Sequence, residues 1–335
     1  MGNPKDWFRR IAIVRSEVKE EFFPAQDSYL AEEECIKRSE LVKKEIEKLG
    51  IPTTIIVADS HLIENLNKVK PDLCFNFADS VRGSEVLCPI IPGIFDYLDI
   101  PYAGADTLCL SLNCNKYLTK TLLEAWEIPT PQYQLIRNEN QEIDYDLRFP
   151  LILKLNEEHG GIGVSEKSVV TNKKEFKKQV KYLIKTYKQH ILAEEFIEDA
   201  TELTAFIVEK EDVNIFLSER IYTPYAKRFK LLTFDLLYDP KSVINYKKFT
   251  DKMGNIQNDI KLAFEILKMH DYARYDVILD KYGNHYLIDC NSNPSLNPGE
   301  DPSSGVMISH GYEFKDLLTW ILYHKAKSSA RNTRF

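Results

Sequence analysis

"RYDVILDKYGNHYLIDCNSNPSL", residues 274–296, decides how the chain is read. Apolar and polar residues alternate on either side of a Lys-Tyr-Gly-Asn turn, the pattern of an antiparallel hairpin. If the turn centres on Lys281 to Asn284, Asp276 faces Asp289 across the pair. After the apolar run Tyr286 to Ile288, oxygen-bearing residues fall at every second position, Asp289, Asn291 and Asn293, and period two places them on one face. Two neighbouring carboxylates repel unless something positive lies between them, and Asn291 adds a neutral oxygen. The spacing therefore predicts a hard-cation site, with magnesium held by Asp276, Asp289 and Asn291 and partly by phosphate oxygens. A solvent-exposed hairpin with acidic decoration is the competing reading of the same spacing.

Upstream, "RIAIVRS" (10–16), "TTIIVAD" (53–59) and "DLCFNF" (72–77) read as buried strands separated by a long helix over 28–50 and a short helical stretch. Strand, helix, strand at this spacing predicts a doubly wound parallel sheet, and no GxGxxG follows the first strand. "NKYLTKTLLEAWEIPTP" (115–131) reads as a helix capped by Asn115, with Leu118, Leu122 and Trp126 as its apolar face. The lysine-rich helix over 173–189 carries the stripe Phe176, Val180, Leu183 and Tyr187, so its lysines read as a solvated face.

Three further stretches carry candidate chemistry. "KLNEEHGGIGVS" (154–165) clusters Gly160, Gly161 and Gly163 after a strand, although the chain has only 13 glycines. Such a loop suits close backbone approach to phosphates, with Lys154 as a nearby cation; a hairpin loop with a snorkelling lysine fits as well. "ILAEEFIEDATELT" (191–204) places Phe196 and Ile197 between acids, a hinge on which adenine would lie, with Glu202 free for ribose hydroxyls. A charged surface turn is the alternative there. His159 would shuttle a proton or merely cap its loop.

The 335 residues are 44% hydrophobic with net charge −7, the proportions of a globular enzyme and not of a nucleic-acid binder. No apolar run is long enough to span a membrane, and the start "MGNPKDWFRR" lacks a secretory h-region, so a cytoplasmic protein is expected. The six scattered cysteines read as reduced core thiols.

In order, Lys116, then Lys154 with the glycine loop, then the acidic-apolar hinge, then Asp276 and Asp289-x-Asn291-x-Asn-Pro resembles the ATP-grasp ligases, and within them the D-alanine–D-alanine ligase group. The resemblance spans about residues 72 to 325 and includes "IPYAGAD" (100–106) and "SLNCNKYLTKTLLEAWEIPTPQY" (111–133). It implies an α/β protein of the ATP-grasp fold: an N-terminal doubly wound parallel-sheet domain (1–112), a central lid domain (113–193), a C-terminal α+β domain (194–327) and a tail (328–335). It implies that ATP and two magnesium ions bind, with Lys116 and Lys154 on the phosphates, Gly160 to Gly163 closing over them, and Glu194, Phe196 and Ile197 along the adenine. Glu202 would hold ribose, Lys227 of "YAKR" (225–228) would reach the γ-phosphate, and Arg274 would face the reacting carbon. Partners would be small-molecule carboxylate and amine substrates, with no nucleic acid or membrane, and a homodimer.

The substrate ends depart from that group. Its Gly-Gly-x-Ser-x-Glu stretch after strand one is replaced by "RSEVKEEFFPAQDS" (15–28), leaving Glu17 as the candidate anchor. Gly160 stands where the group carries serine, and Arg228 where it carries tyrosine. Ser303 and Ser304 are candidates for acceptor recognition, and Arg82 and Glu85 for a charged substrate. The expected activity is amide-bond formation between an amino acid and a small carboxylate or another amino acid through an acyl phosphate, with an orthodox D-alanine–D-alanine ligase and a non-catalytic nucleotide-binding regulator as alternatives.

Overall fold

The structure is a computed structural model that describes residues 3–223, 229–238, 243–299 and 301–332. Three sheets follow one another along the chain. The first is parallel, with β1 (Ile11–Ser16), β2 (Thr53–Ala58), β3 (Leu73–Phe77) and β4 (Tyr102–Ala103) in the order β2-β1-β3-β4. Helices α1 (Gln26–Lys48), α2 (Leu62–Val69) and α3 (Ile90–Tyr97) connect its strands. Cover by helices explains why all five residues of β3 are buried and why its sequence does not alternate. The order reverses between β1 and β3, so the crevice beyond their carboxyl ends is where an open α/β sheet holds ligands.

After α4 (Thr107–Asn113) and α5 (Lys116–Ala125) comes an antiparallel sheet in the order β5-β8-β6-β7. Its strands are β5 (Tyr133–Ile136), β6 (Leu151–Leu155), β7 (Val169–Val170) and β8 (Ile191–Glu195), backed by α6 (Lys173–Tyr187). Helix α6 buries the expected stripe of Phe176, Val180, Leu183 and Tyr187; the Asn172 side chain caps its start and Lys188 ends it in the left-handed conformation.

Helix α5 corrects the sequence reading. Asn115 caps it as expected, accepting from the Leu118 N–H at 3.1 Å. Its buried residues, however, are Lys116, Thr119, Lys120 and Leu123, while Leu118 and Trp126 are exposed. An apolar-stripe argument fails here because the helix packs onto a carboxylate-rich site, and its inward face needs cations.

The third sheet is antiparallel, in the order β11-β10-β9-β12-β13. It comprises β9 (Thr201–Glu209), β10 (Val213–Thr223), β11 (Val243–Lys248), β12 (Tyr272–Leu279) and β13 (His285–Asn291), with α7 (Phe234–Tyr238) and α8 (Asn255–Ile266) between strands. Two helices end the chain, α9 (Pro302–Ser309) and α10 (Phe314–Asn332); α10 runs through most of the segment expected as a tail. One apolar cluster joins the first and third sheets through Ile11, Phe75, Phe206, Tyr272, Leu318 and Ile321. All six cysteines are buried free thiols. Among the described residues no helix is long and apolar enough to cross a membrane.

Candidate active site

The lid sheet and the third sheet enclose a cavity of about 220 Å³, closed on one side by the loop after β6. Its floor is the hairpin of β12 and β13. Asp276 does face Asp289, but not through the turn expected. The loop is Asp280 to Asn284, one residue longer than Lys281 to Asn284, with the Asp280 carboxylate accepting from the Tyr282 and Asn284 N–H groups. Val277 consequently pairs with Leu287, and a bulge at Ile288 restores the register before Asp289. Bulges commonly re-aim side chains beside active sites, and here the Ile288 carbonyl accepts from Lys154 Nζ at 3.4 Å.

Each acid on this floor has a cation. Lys116 Nζ lies 3.1 Å from Asp289 Oδ1. Burial alone would raise the Asp289 carboxyl, but Lys116, Lys154 and Arg274 hold it well below the usual carboxylate range. Asp276 is bound by Arg220 and faces Arg274 at 3.7 Å. The Asn291 amide lies beside Asp289, with Nδ2 donating to Oδ2 at 3.4 Å. Asn293 does not join them: β13 ends at Asn291, and the Asn293 amide donates to the Asn76 carbonyl at 3.1 Å.

Beneath the lid, Glu194 sits between Lys154 at 2.8 Å and Lys120 at 3.1 Å. Burial would push its carboxyl up; the two ammoniums overcome this and keep it below its ordinary value. Lys120 also donates to Thr130 Oγ1 at 2.6 Å. Glu202 is not free: Arg220 lies 3.3 Å from it and the Tyr222 hydroxyl donates to it. Phe196 and Ile197 line the cavity with Ile152, Ile278 and Ile288, and the Phe196 ring meets Phe229 edge-on at 5.5 Å.

The glycine loop divides in two. Gly160 and Gly161 line the cavity at φ of 64° and 74°, conformations open to residues without Cβ. Gly163 faces the lid core, where a Cβ would stand 3.0 Å from Leu155, and its N–H donates to Asp27 of α1 at 2.9 Å. His159 is neither a simple cap nor free, since its N–H donates to Glu85 Oε1 at 3.0 Å and its Nδ1 is hydrogen-bonded to Glu85 Oε2. Burial and Lys116 push the imidazole down to about 4.

At the substrate end the expectations fare unevenly. Glu17 pairs with Lys19 at 2.6 Å and is not among the cavity's walls. Arg82 is exposed in a left-handed turn, whereas Glu85 is drawn inward to His159. Ser303 and Ser304 open α9 but are buried, their hydroxyls donating to the carbonyls of Ser295 and Asn297. Asp301, their cap, lines the cavity instead. Lys227 and Arg228 lie outside the described residues.

Four further residues escaped the sequence reading. Lys120 left a signal, since it follows Lys116 by one helical turn. Arg220 left none, being one polar residue in an alternating strand. Glu34 of α1 reaches the cavity from the first sheet, with Asn297 Nδ2 donating to it at 3.4 Å. Glu158 also lines it, accepting from Gln189 at 3.0 Å.

A parallel-sheet unit followed by a small antiparallel lid and a larger antiparallel sheet, closing on lysines above the Asp276–Asp289 pair, defines an ATP-grasp enzyme. The family model described as D-ala D-ala ligase C-terminus matches residues 122–323, more than half the chain. The chain belongs to the D-alanine–D-alanine ligase family and is an ATP-dependent, ADP-forming ligase. It is 30% identical over 241 residues to a D-alanine–D-alanine ligase of Nitrosomonas eutropha, covering 69% of this chain and 73% of that one. It is 26% identical over 291 residues to the uncharacterized protein y4sG of Sinorhizobium fredii, covering 83% and 84%. In fold it is similar to the D-alanine–D-alanine ligase of Bacillus anthracis complexed with ATP, at a TM-score of 0.71 and 18% identity over 97% of this chain and 99% of that one.

Proposed function

We propose that this ligase forms an amide bond between an amino acid and a small carboxylate or a second amino acid, through an acyl phosphate. The observation that carries the reading is the convergence of Lys116, Lys154 and Arg274 on the Asp276–Asp289 pair within one cavity. A carboxylate is a poor acylating agent, and phosphorylation by ATP supplies its leaving group. The substrate carboxylate attacks the γ-phosphorus, ADP leaves, and an amine then displaces phosphate from the acyl carbon.

Asp276, Asp289 and Asn291 are hard oxygen donors, the first two kept among cations, and that donor set fits magnesium. Bound there, magnesium would neutralise phosphate charge. Lys116 and Lys154 would orient the phosphates, and Arg274 would stabilise charge at the acyl carbon. Gly160 and Gly161 would close over the nucleotide, excluding water that would hydrolyse an acyl phosphate. Phe196, Ile197 and the neighbouring isoleucines offer an apolar slot for the base. Glu194 stands under that slot as the counter-ion of Lys120 and Lys154, and Glu202 as that of Arg220. Lys227, of the segment following β10, is proposed to reach the γ-phosphate, and Arg228 to contact a substrate.

Substrates other than two D-alanines are supported by Glu17 pairing with Lys19 away from the cavity, while Glu34 enters it from α1 as the acid available to a substrate amine. The test is ADP and phosphate release with magnesium-ATP against a matrix of amino acids and small carboxylates, with Asp289→Ala as control. Turnover dependent on one acid–amine pair and absent in the control is expected. Turnover with D-alanine alone would assign the orthodox reaction, and ATP binding with no turnover across the matrix would sink the ligation reading.

A further inference from the structure

No step of the reaction above uses His159, yet the fold anchors this residue firmly. It stands between the cavity of about 220 Å³ and a second one of about 90 Å³ on the first-sheet side, and lines both. Glu85, which follows β3, holds it at two points: Oε1 accepts from its backbone N–H at 3.0 Å, and Oε2 is hydrogen-bonded to Nδ1. The two preceding residues are fixed by Gln189, whose Oε1 accepts from the Glu157 N–H at 2.9 Å and whose Nε2 donates to Glu158 at 3.0 Å. Ring and backbone are therefore positioned together, as a group that moves a proton requires.

The bond to Glu85 also decides which ring nitrogen is free. An Nδ1–H donated to a carboxylate leaves the lone pair on Nε2, at the opposite edge of the ring. Among the described residues Nε2 makes no hydrogen bond. The charges acting on the ring come from the reacting end: Lys116 of α5, Asp289 of β13 and Arg274 of β12, with Glu158 beside it. Burial and Lys116 keep the imidazole neutral, the form that can accept a proton. Phosphates bound among Lys116 and Arg274 would offset the two cations that depress it, so the ring gains basicity when an acyl phosphate is in place. Burial raises Glu85 to about 7, opposed by the His159 N–H, Lys116 and a hydrogen bond from Glu158, which burial and Glu85 keep protonated by raising it to about 9. A carboxylate behind Nδ1 and an unengaged Nε2 form an oriented base.

We propose that His159 is the general base of the amine-transfer step, with Glu85 as the positioning residue behind it. The amine nitrogen attacks the acyl carbon, and Nε2 takes one proton from that nitrogen as the C–N bond forms. The C–O bond to phosphate then breaks, and the imidazolium passes the same proton to the departing phosphate. Amine and acyl phosphate become amide and hydrogen phosphate, with every proton accounted for. An intermediate whose nitrogen kept its proton would revert by expelling the amine. Glu85 offsets the charge on the imidazolium while it lasts and keeps Nε2 as the acceptor. The inference rests on the ligase reading above, since it assigns a residue to the second step of that reaction.

The experiment supplies magnesium-ATP and the carboxylates of the matrix above with either the amino acids of that matrix or hydroxylamine, and measures amide and hydroxamate. Hydroxylamine is largely uncharged at neutral pH and sheds its proton to water more easily after attack, so it depends less on a base. In His159→Gln the amide rate should fall by about a hundredfold, and the ratio of amide to hydroxamate by about tenfold or more; a ratio is insensitive to partial loss of fold. In His159→Ala, added imidazole should restore amide formation, which it should not accelerate in the parent. Glu85→Gln should lower kcat for the amide without raising KM for ATP. An unchanged ratio in His159→Gln, or the same response to imidazole in His159→Ala and parent, would overturn the proposal while leaving the ligase reading intact. Hydroxamate without amide in the parent would overturn it as well, and neither product in the parent would sink the ligase reading itself and this assignment with it.

Discussion

The two sides of His159 are built on opposite charge arithmetic. On the nucleotide side, Asp289, Asp276, Glu194 and Glu202 each have a lysine or arginine within 4 Å. On the first-sheet side, Glu32, Asp79 and Glu85 share Arg38 and a neutral imidazole. The difference lies in who supplies the counter-charge. Lys120 and Lys154 hold Glu194 below its ordinary value against burial, whereas burial raises Glu85 to about 7 and Glu32 to about 8.

The comparison can be broken at its strongest point. Asp289→Ala should lower ADP release by on the order of a thousandfold, because it removes a proposed metal donor and leaves Lys116 without its partner. Steady-state kinetics would check this, and a loss below tenfold would move the chemistry elsewhere. Glu194→Gln should cost about 3–5 kcal/mol, since Lys120 and Lys154 would be buried together unpaired. Denaturant unfolding measures it; a near-neutral result would mean that water already reaches the two ammoniums.

A smaller effect is expected in the loop between the two regions. Gly163→Ala should cost about 1–3 kcal/mol, because φ is 72° and a Cβ would press on Leu155. Thermal melting would report it, with Gly283→Ala, at φ 89° in open space, as the milder control. The smallest effect sharpens the charge comparison directly. Glu158 is raised in the folded state by burial and Glu85, so its contribution to stability is full below the unfolded value near 4.5 and is lost as pH rises through about 9. Glu194 runs the other way, contributing above the unfolded value and losing it in acid. Melting curves from pH 5.5 to 9 should therefore decline less steeply in Glu158→Gln than in the parent; parallel curves would show that Glu158 is already ionised.

Much of the fold was legible because its signals are local. The buried strands 10–16, 53–59 and 72–77, the stripe of α6, the cap at Asn115 and the hairpin at 274–291 all follow from periods of two and 3.6 and from turn chemistry. The ordered lysines, glycines and Asp-x-Asn run identified the family for the same reason. The α5 stripe misled because periodicity reports where apolar residues are, and that helix buries its lysines instead.

By itself the sequence determined three alternating α/β blocks, the family, and the residues that floor the cavity, since each is written in short-range spacing. Only the tertiary structure decided which acid meets which cation. The bulge at Ile288 that returns Asp289 to Asp276, the Lys120–Glu194 and Arg220–Asp276 pairs, the withdrawal of Glu17 and Ser303, and the entry of Glu34 join residues far apart in the chain. Such pairings are a property of a volume, and strand and helix periods describe only a line.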